Sequence, residues 1–389
     1  MQPDRPDVFS SGFREDPYPV YAALRRERPV YEEPRYGAFL LTRFDDVLGA
    51  LLDPGTFSSA HGPGPRPSPA MSQAAALPAT DPPHHDRLRA LVNRAFTPRR
   101  VSESAPKIRA LARRLVSEIP DGDFDLVPAL SVPLPVLVIA DMLGVERERL
   151  PDFRRWSDAF VGLLENDPTP EALGATAELR DYFHHLADRR RSDPQDDLVS
   201  ALVHAEIDGR RLSDAELDGF YIVLLVAGNE TTTNLVSNQL RILCERPDLW
   251  KRLREDRSLV PKAIEETVRF DCPVQNLGRQ TTRPVAVAGV ELPADARVIV
   301  SFGAANRDPA AFEAADEYRP ERSERRHVGF GQGVHFCLGA GLARLEGRIA
   351  LDALLDRFET LEPGDVPPRR MMSTVIRGFE SLPLSGVRA

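Results

Sequence analysis

Residues 213–245 keep helical spacing for more than thirty residues, well past the length of an ordinary globular helix. Ser213-Asp214-Ala215-Glu216 has the form of a capping box, which marks where such a helix starts. A helix this long has to cross the whole core, so the rest of the chain must pack around it. Its middle turns abruptly from all-round apolar to polar at Gly228-Asn229-Glu230-Thr231. Glycine there weakens the helix by about 1 kcal/mol relative to alanine, and a buried Glu230 is costly without partners. Local rules broken in mid-helix point to a functional site. Val223, Ala227 and Glu230 or Thr231 share one face at three-and-four spacing, so that face can present an apolar wall followed by an acid and a hydroxyl. A satisfied buried network, or an exposed second half of the helix, accounts for the same pattern.

Around this element the chain reads as mostly helical. Helical spacing covers residues 18–28, 44–52, 104–119, 129–143, 147–164, 170–191, 197–207 and 261–270. Strands are expected at 30–33, at 38–42 and within 285–301. Residues 53–83 form a long Pro- and Gly-rich stretch, which marks a binding loop or lid, with a plain surface loop as the alternative. The turn Glu165-Asn166-Asp167-Pro168 precedes a capped helix start at Thr169-Pro170-Glu171 and reads as a hinge between two helices.

The second informative stretch is Phe330-Gly331-Gln332-Gly333-Val334-His335-Phe336-Cys337-Leu338-Gly339. One cysteine stands between a glycine-rich loop and the start of an apolar, arginine-flanked helix. Glycines let backbone amides approach the sulfur, and the helix start offers its positive end, so a thiolate is favoured. That suits a metal ligand or a nucleophile. Cys244 and Cys272 read as packing residues, and three cysteines without a CxxC pair do not make a disulfide framework or a zinc cluster. On the helix that follows Asp81-Pro82-Pro83, His85 and Arg89 share a face and can converge on one anionic group; a solvated basic face is the alternative. Glu266 and Arg269, three apart, can pair. The formal charge of −9 argues against a nucleic-acid surface or an anionic membrane as partner. The N-terminus shows no apolar run of signal or membrane-spanning length, so a soluble, cytoplasmic protein is expected.

Together these motifs resemble a known set. Phe330-Gly-x-Gly-x-His335-x-Cys337-x-Gly339, Ala227-Gly-x-Glu230-Thr231 about a hundred residues earlier, and Glu266-x-x-Arg269 between them resemble the signatures of cytochrome P450, in the right order. Asp81-Pro-Pro-x-His85-x-x-x-Arg89 and Pro320-Glu321-Arg322 resemble two further landmarks, so the resemblance covers essentially the whole chain. It implies a mainly α fold, the helix-rich triangular prism with small β-sheets, as a single domain over residues 1–389. The small sheets would come from the N-terminal strands, 285–301 and 371–384. The implied cofactor is heme b, iron protoporphyrin IX, with Cys337 as thiolate ligand of the iron. His85, Arg89, Arg279 and His335 would be donors to its propionates; spacing to Arg89 selects His85, with His84 as the alternative. Glu266, Arg269 and Arg322 would form a structural charge network, and Glu230 and Thr231 the acid–alcohol pair that delivers protons to dioxygen.

The implied activity is hydroxylation or epoxidation of an apolar small molecule, a natural product among the candidates. Electrons would come from NAD(P)H through separate ferredoxin reductase and ferredoxin partners, since the chain carries no flavin or iron–sulfur motif. A haem-thiolate sensor without turnover and an oxidative-coupling enzyme are the alternatives, and the Glu230-Thr231 pair favours catalysis because a sensor has no need of a proton relay. An acidic ferredoxin would dock near Cys337, where Arg94, Arg99, Arg100, Arg344 and Arg348 can cluster. The substrate pocket would be lined by the 53–83 loop, the helices either side of Asp167, Val223, Val226, Ala227, Leu277, Val375 and Ile376. Gln275 and Asn276 would orient the substrate through hydrogen bonds in an otherwise apolar cavity. A monomer is expected.

Overall fold

The long helix sets the layout. In the computed structural model of the chain, which describes residues 6, 8, 10–35, 37–67, 77–165, 169–323 and 326–389, five helices carry or support the site. They are α1 (His84–Ala95), α2 (Leu150–Glu165), α3 (Asp214–Leu243), α4 (Val260–Phe270) and α5 (Ala340–Arg357). The capping box closes the start of α3: Ser213 Oγ accepts from the Glu216 N–H, and Glu216 Oε2 accepts from the Ser213 N–H. Such a cap is worth about 0.5–2 kcal/mol.

The first half of α3 buries Phe220, Tyr221 and Leu225 in the largest apolar cluster, where Phe183 stacks on Tyr221 at 4.5 Å. Its second half is not exposed. Thr232, Thr233, Asn234, Ser237, Asn238 and Gln239 are all buried. Several are bonded across to other elements. Thr233 Oγ1 donates to Ser131 O at 2.9 Å, and Asn238 Nδ2 donates to Asp271 O at 3.0 Å and Arg377 O at 2.9 Å. A buried network, not a solvated half-helix, therefore explains the change in polarity; each bond left unmade there would cost about 1–3 kcal/mol.

The main sheet has strands β1 (Val30–Glu33), β2 (Ala38–Leu41), β3 (Phe57–Ser58), β4 (Asn276–Thr281) and β5 (Arg297–Ser301), in the order β1-β2-β5-β4-β3. β5 runs parallel to β2 and antiparallel to β4, with Val300 opposite Leu277, Ile299 opposite Gly278 and Val298 opposite Arg279. Strand alternation thus puts Leu277 and Arg279 on one face of β4, and Asn276 and Gly278 on the other.

A second sheet joins Phe358–Pro363, Pro383–Arg388 and the unexpected strand Gly122–Asp125. The helix expected over 129–143 is broken into a π-turn, Val127–Ser131, and Pro133–Leu143. Pro133 cannot donate to the helical ladder, which forces the shift. The helix expected to end at 207 stops at His204, because Glu206 and Ile207 pair with Arg211 and Arg210. The 166–168 turn read as a hinge lies outside the described residues, as do residues 68–76 of the long loop. Among the described residues no helix is long and apolar enough to cross a membrane.

Candidate functional site

Gly331 and Gly333 have φ of +68° and +69°, a region that glycine enters without strain. With a 2.8 Å bond from the Cys337 N–H to Phe330 O, they fold the loop back on itself just before α5. The helix starts at Ala340, with Gly339 as its cap and no side-chain acceptor there. The backbone N–H groups of Gly339 and Ala340 instead favour the thiolate at Cys337. Burial still pushes the thiol up, against the pull of those amides and of Arg89 and Arg344. A bound metal cation would restore the charge balance that burial removes, since a coordinating thiol is deprotonated outright.

α1 brings His85 and Arg89 to the same place, and β4 brings Arg279. The His85 and His335 rings lie 4.4 Å apart. Burial, together with Arg279, His85 and Arg89, takes His335 down to about 3. Burial likewise lowers Arg279 to about 10, with Asp81 opposing it. His85 Nε2 and His335 Nε2 are buried without a partner among the described residues. Apart from Asp86 at His85 Nδ1 (3.0 Å) and the field of Asp81, no acid among the described residues is placed to neutralise this cluster. Two arginines and two histidine rings converging there suit an anionic ligand. His84 faces elsewhere, 3.8 Å from Glu216, so the geometry selects His85 from the pair.

α4 holds the loop from the other side. Arg269 grips Glu266 with two bonds, Nε to Oε2 at 2.8 Å and Nη2 to Oε1 at 2.7 Å. Arg322 Nε donates to the same carboxylate at 3.4 Å. Arg269 Nη1 also donates to Asn306 O at 2.8 Å, and Asn306 Oδ1 accepts from the Val328 N–H at 2.8 Å, at the entry to the cysteine loop. One residue on, a Cβ at Gly329 would collide with Val268. The charge network therefore positions the loop through Asn306 and through direct packing.

A second acid on α4, Glu265, bonds His327 at 3.2 Å and Arg344 Nη2 at 3.0 Å. Burial pushes the Glu265 carboxyl up, but His327 and Arg344 outweigh it and hold it at about 2. A folded pKa below the unfolded value of about 4.3 stabilises the fold above that pH, and the gain is lost as the pH falls toward about 2. Glu265→Gln should lower stability at neutral pH by about 1 kcal/mol, after screening of this partly exposed pair. It should also flatten the loss of thermal midpoint between about pH 4.5 and 2. An acid profile identical to wild type would contradict the role assigned to the pair.

Glu230 and Thr231 sit half-buried at the centre of α3. Their neighbour Asn229 ties the helix to α2 through Ser157 Oγ at 2.9 Å.

Comparisons with known proteins give the family. A family model described as Cytochrome P450 matches residues 172–383. The cyclomarin C epoxidase CymV of Salinispora arenicola (strain CNS-205) is 42% identical, over 88% of this chain and 89% of its own length. The vitamin D(3) 25-hydroxylase of Pseudonocardia autotrophica is 40% identical, over 97% of this chain and 96% of its own. The solved structure of cytochrome P450 CYP109Q5 from Chondromyces apiculatus matches with a TM-score of 0.91 at 35% identity, covering 98% of each chain. The chain belongs to the cytochrome P450 family.

A P450 of this kind is a haem-thiolate monooxygenase, and the residues present fit haem. One thiol stands at the mouth of a helix, and beside it lies a buried cationic cluster whose two histidine Nε2 atoms lack partners. Other expectations for this P450 need correction. Asn276 lies on the β4 face opposite Leu277 and Arg279, and its Nδ2 donates to Thr374 O at 2.6 Å and Tyr21 Oη at 3.0 Å. Gln275 Nε2 donates to Cys272 O at 2.7 Å, and its side chain is packed against Gly303. The two amide nitrogens are thus taken up by the protein's own hydrogen bonds, while Gln275 Oε1 is buried without a partner among the described residues. Ile376 bridges Val274 and lines a small cavity with Tyr21 and Arg377. Asn276, Leu277 and Val375 line one cleft with Pro65, Val223 is half-buried on α3, and the side chains of Val226 and Ala227 lie outside the described residues. Asn229, Glu265 and Asp81 were not singled out by their spacing alone. Asp81 accepts from Ser58 Oγ and from the Ser59 N–H while its charge acts on Arg279, so it joins the loop before α1 to the cationic cluster.

Proposed function

We propose that this P450 oxygenates an apolar small molecule of the natural-product type, with electrons from NAD(P)H delivered by a separate ferredoxin reductase and ferredoxin. The observation that carries the reading is the convergence of Cys337 with the unneutralised cluster of His85, Arg89, Arg279 and His335. In it, Cys337 Sγ would hold the haem iron and the four basic side chains its propionates. Haem, when bound, supplies the iron at which dioxygen is reduced and one oxygen atom is transferred to the substrate. The protein's share is proton supply and exclusion of water: the Glu230 carboxylate would take a proton from solvent and pass it on, and Thr231 Oγ1 would hydrogen-bond the water that carries it. The relatives named as an epoxidase of cyclomarin C and a hydroxylase of vitamin D(3) support an apolar substrate of moderate size.

Ferredoxin docking is the less direct part of the proposal. Arg99 pairs with Glu103, Arg100 with Asp196, Arg344 with Glu265 and Arg348 with Asp352, so these four arginines are partly neutralised, while Arg94 bonds the backbone carbonyl of Glu206. Arg344, whose charge reaches Cys337, and the exposed Phe336 beside it support docking at the cysteine loop. A monomer in the cytoplasm completes the proposal, consistent with the net charge of −9.

The test is turnover with NADPH, a ferredoxin reductase and ferredoxin over a panel of apolar natural products. Product should carry one oxygen atom from dioxygen, and reduction should slow as salt rises. Glu230→Gln and Thr231→Ala should each cut product formation by about 10²-fold or more while ferric haem absorbance stays as in wild type. Unchanged product rates in both variants, or reduction that ignores salt, would overturn the corresponding role.

A further inference from the structure

Strand β5 is buried along its whole length and apolar apart from Arg297 at its start and Ser301 at its end. A charge in such a strand is expensive unless something specific holds it. Arg297 is 6% exposed. It lies on the face of the sheet shared by Gly278 and Ile299, away from Arg279 and the haem-side cluster. Its guanidinium passes over Gly278, where the lack of a side chain leaves the path open; a Cβ there would run into Arg297 Nη2 and Gly64 O. Beyond Gly278 a single nitrogen, Nη2, donates to the carbonyls of Gly62 (2.7 Å), Gly64 and Arg66 (3.4 Å). The strand adds its own bond, from the Gly278 N–H to Pro63 O at 2.6 Å.

Three carbonyl oxygens turned toward one point create a negative potential that the buried guanidinium satisfies. Nothing else compensates this guanidinium well, because Nε and Nη1 have no partner among the described residues. Burial and the nearby charge of Arg279 lower Arg297 to about 10. The segment it grips continues the edge of the sheet past β3, and Pro65 lines one cleft with Asn276, Leu277 and Val375, three of the pocket candidates.

We propose that Arg297 is a positioning residue that clips the 62–66 segment to the edge of β4 and so sets how freely a substrate enters beside Leu277 and Val375. The entry part rests on the P450 reading given above; the clip does not. It predicts that the gripped segment opens more often when either half of the clip is removed, from the strand side or from the guanidinium side.

The test uses the haem-containing full chain as Arg297→Gln, Arg297→Lys and Gly278→Ala, with imidazole as the probe of access to the iron. Hydrogen exchange across 60–67 should speed by about tenfold in Arg297→Gln and in Gly278→Ala, and by less in Arg297→Lys, which keeps the charge but loses the fork. Exchange in the second half of α3 should stay at the wild-type rate, which separates loosening of the segment from general unfolding. The association rate of imidazole, read from the shift of the haem absorbance, should rise by about fivefold in the same order. Exchange across 60–67 within twofold of wild type in both Arg297→Gln and Gly278→Ala would overturn the clip. Faster exchange with an unchanged imidazole rate would overturn its control of entry. A wild-type protein whose spectrum ignores imidazole would count against the haem reading itself, while the exchange result would still decide the clip.

Discussion

Arg269→Leu should yield little folded, haem-loaded protein. Arg269 is 2% exposed and makes two bonds to Glu266 and one each to Asn306 O, Ala315 O and Glu317 O, all between 2.7 and 2.9 Å. Leucine fills part of the volume but leaves the Glu266 carboxylate, 4% exposed, facing Arg322 Nε at 3.4 Å and the Arg319 N–H at 2.7 Å alone. Breaking a buried pair from one side costs about 3–5 kcal/mol, and each orphaned carbonyl adds about 1–3. A fold of ordinary stability has about 5–15 kcal/mol in total, so the loss consumes most or all of it. The damage should concentrate at the cysteine loop, because Asn306 links Arg269 to the Val328 N–H. Arg269→Lys should recover little, since a single ammonium cannot reproduce the planar fork. Soluble yield, haem content and the thermal midpoint by circular dichroism measure the effect, and a variant with wild-type values in all three would remove Arg269 from the structural role assigned to it.

Cys337→Ala should eliminate oxygenase turnover while leaving much of the fold intact. The sulfur is the protein atom that would hold the haem iron, and without it the haem would lack the thiolate ligand on which its oxygen chemistry depends. The cationic cluster is untouched by the change, so some haem should still bind, in a form without sulfur ligation. Cys244→Ala and Cys272→Ala should behave oppositely. Cys244 Sγ donates to Arg241 O at 3.2 Å and Cys272 Sγ to Val274 O at 2.9 Å, and burial pushes the two thiols up to about 11 and about 12. Neither is a thiolate at neutral pH, so both variants should keep turnover. Cys272→Ala should lose about 1–2 kcal/mol of stability from its fully buried site against Gly329. Turnover surviving in Cys337→Ala, or vanishing in Cys244→Ala with haem retained, would reverse these assignments.

Much of this was legible because the informative residues are tied to local rules. The capping box at Ser213 and Glu216 places the start of the long helix within a residue. The glycines before Cys337 announce a loop that only they can form, and the Glu266-Arg269 spacing needs nothing beyond one helical turn. What stayed hidden depends on register and on contacts between distant segments. The spacing of 275–277 could not say which way each side chain points; pairing with β5 turns Leu277 toward the Arg279 face and Asn276 away from it. The tie between Asn229 and Ser157 spans 72 positions, and that between Arg297 and Gly62 spans 235. A charge at the head of an otherwise apolar strand was the one visible sign of the Arg297 clip. Spacing to Arg89 already favoured His85 over His84, and the contact between His85 and His335 places His85 in the cluster while His84 lies near Glu216. The basic residues expected to meet a ferredoxin read as free charges until their acidic partners are placed in space.

The most direct measurement is the difference spectrum of the purified wild-type protein, reduced and then exposed to carbon monoxide. Ligation of haem iron by the Cys337 thiolate requires a strongly red-shifted Soret band in that spectrum. A Soret band without that shift, or no haem absorbance from protein produced with haem in supply, would contradict it.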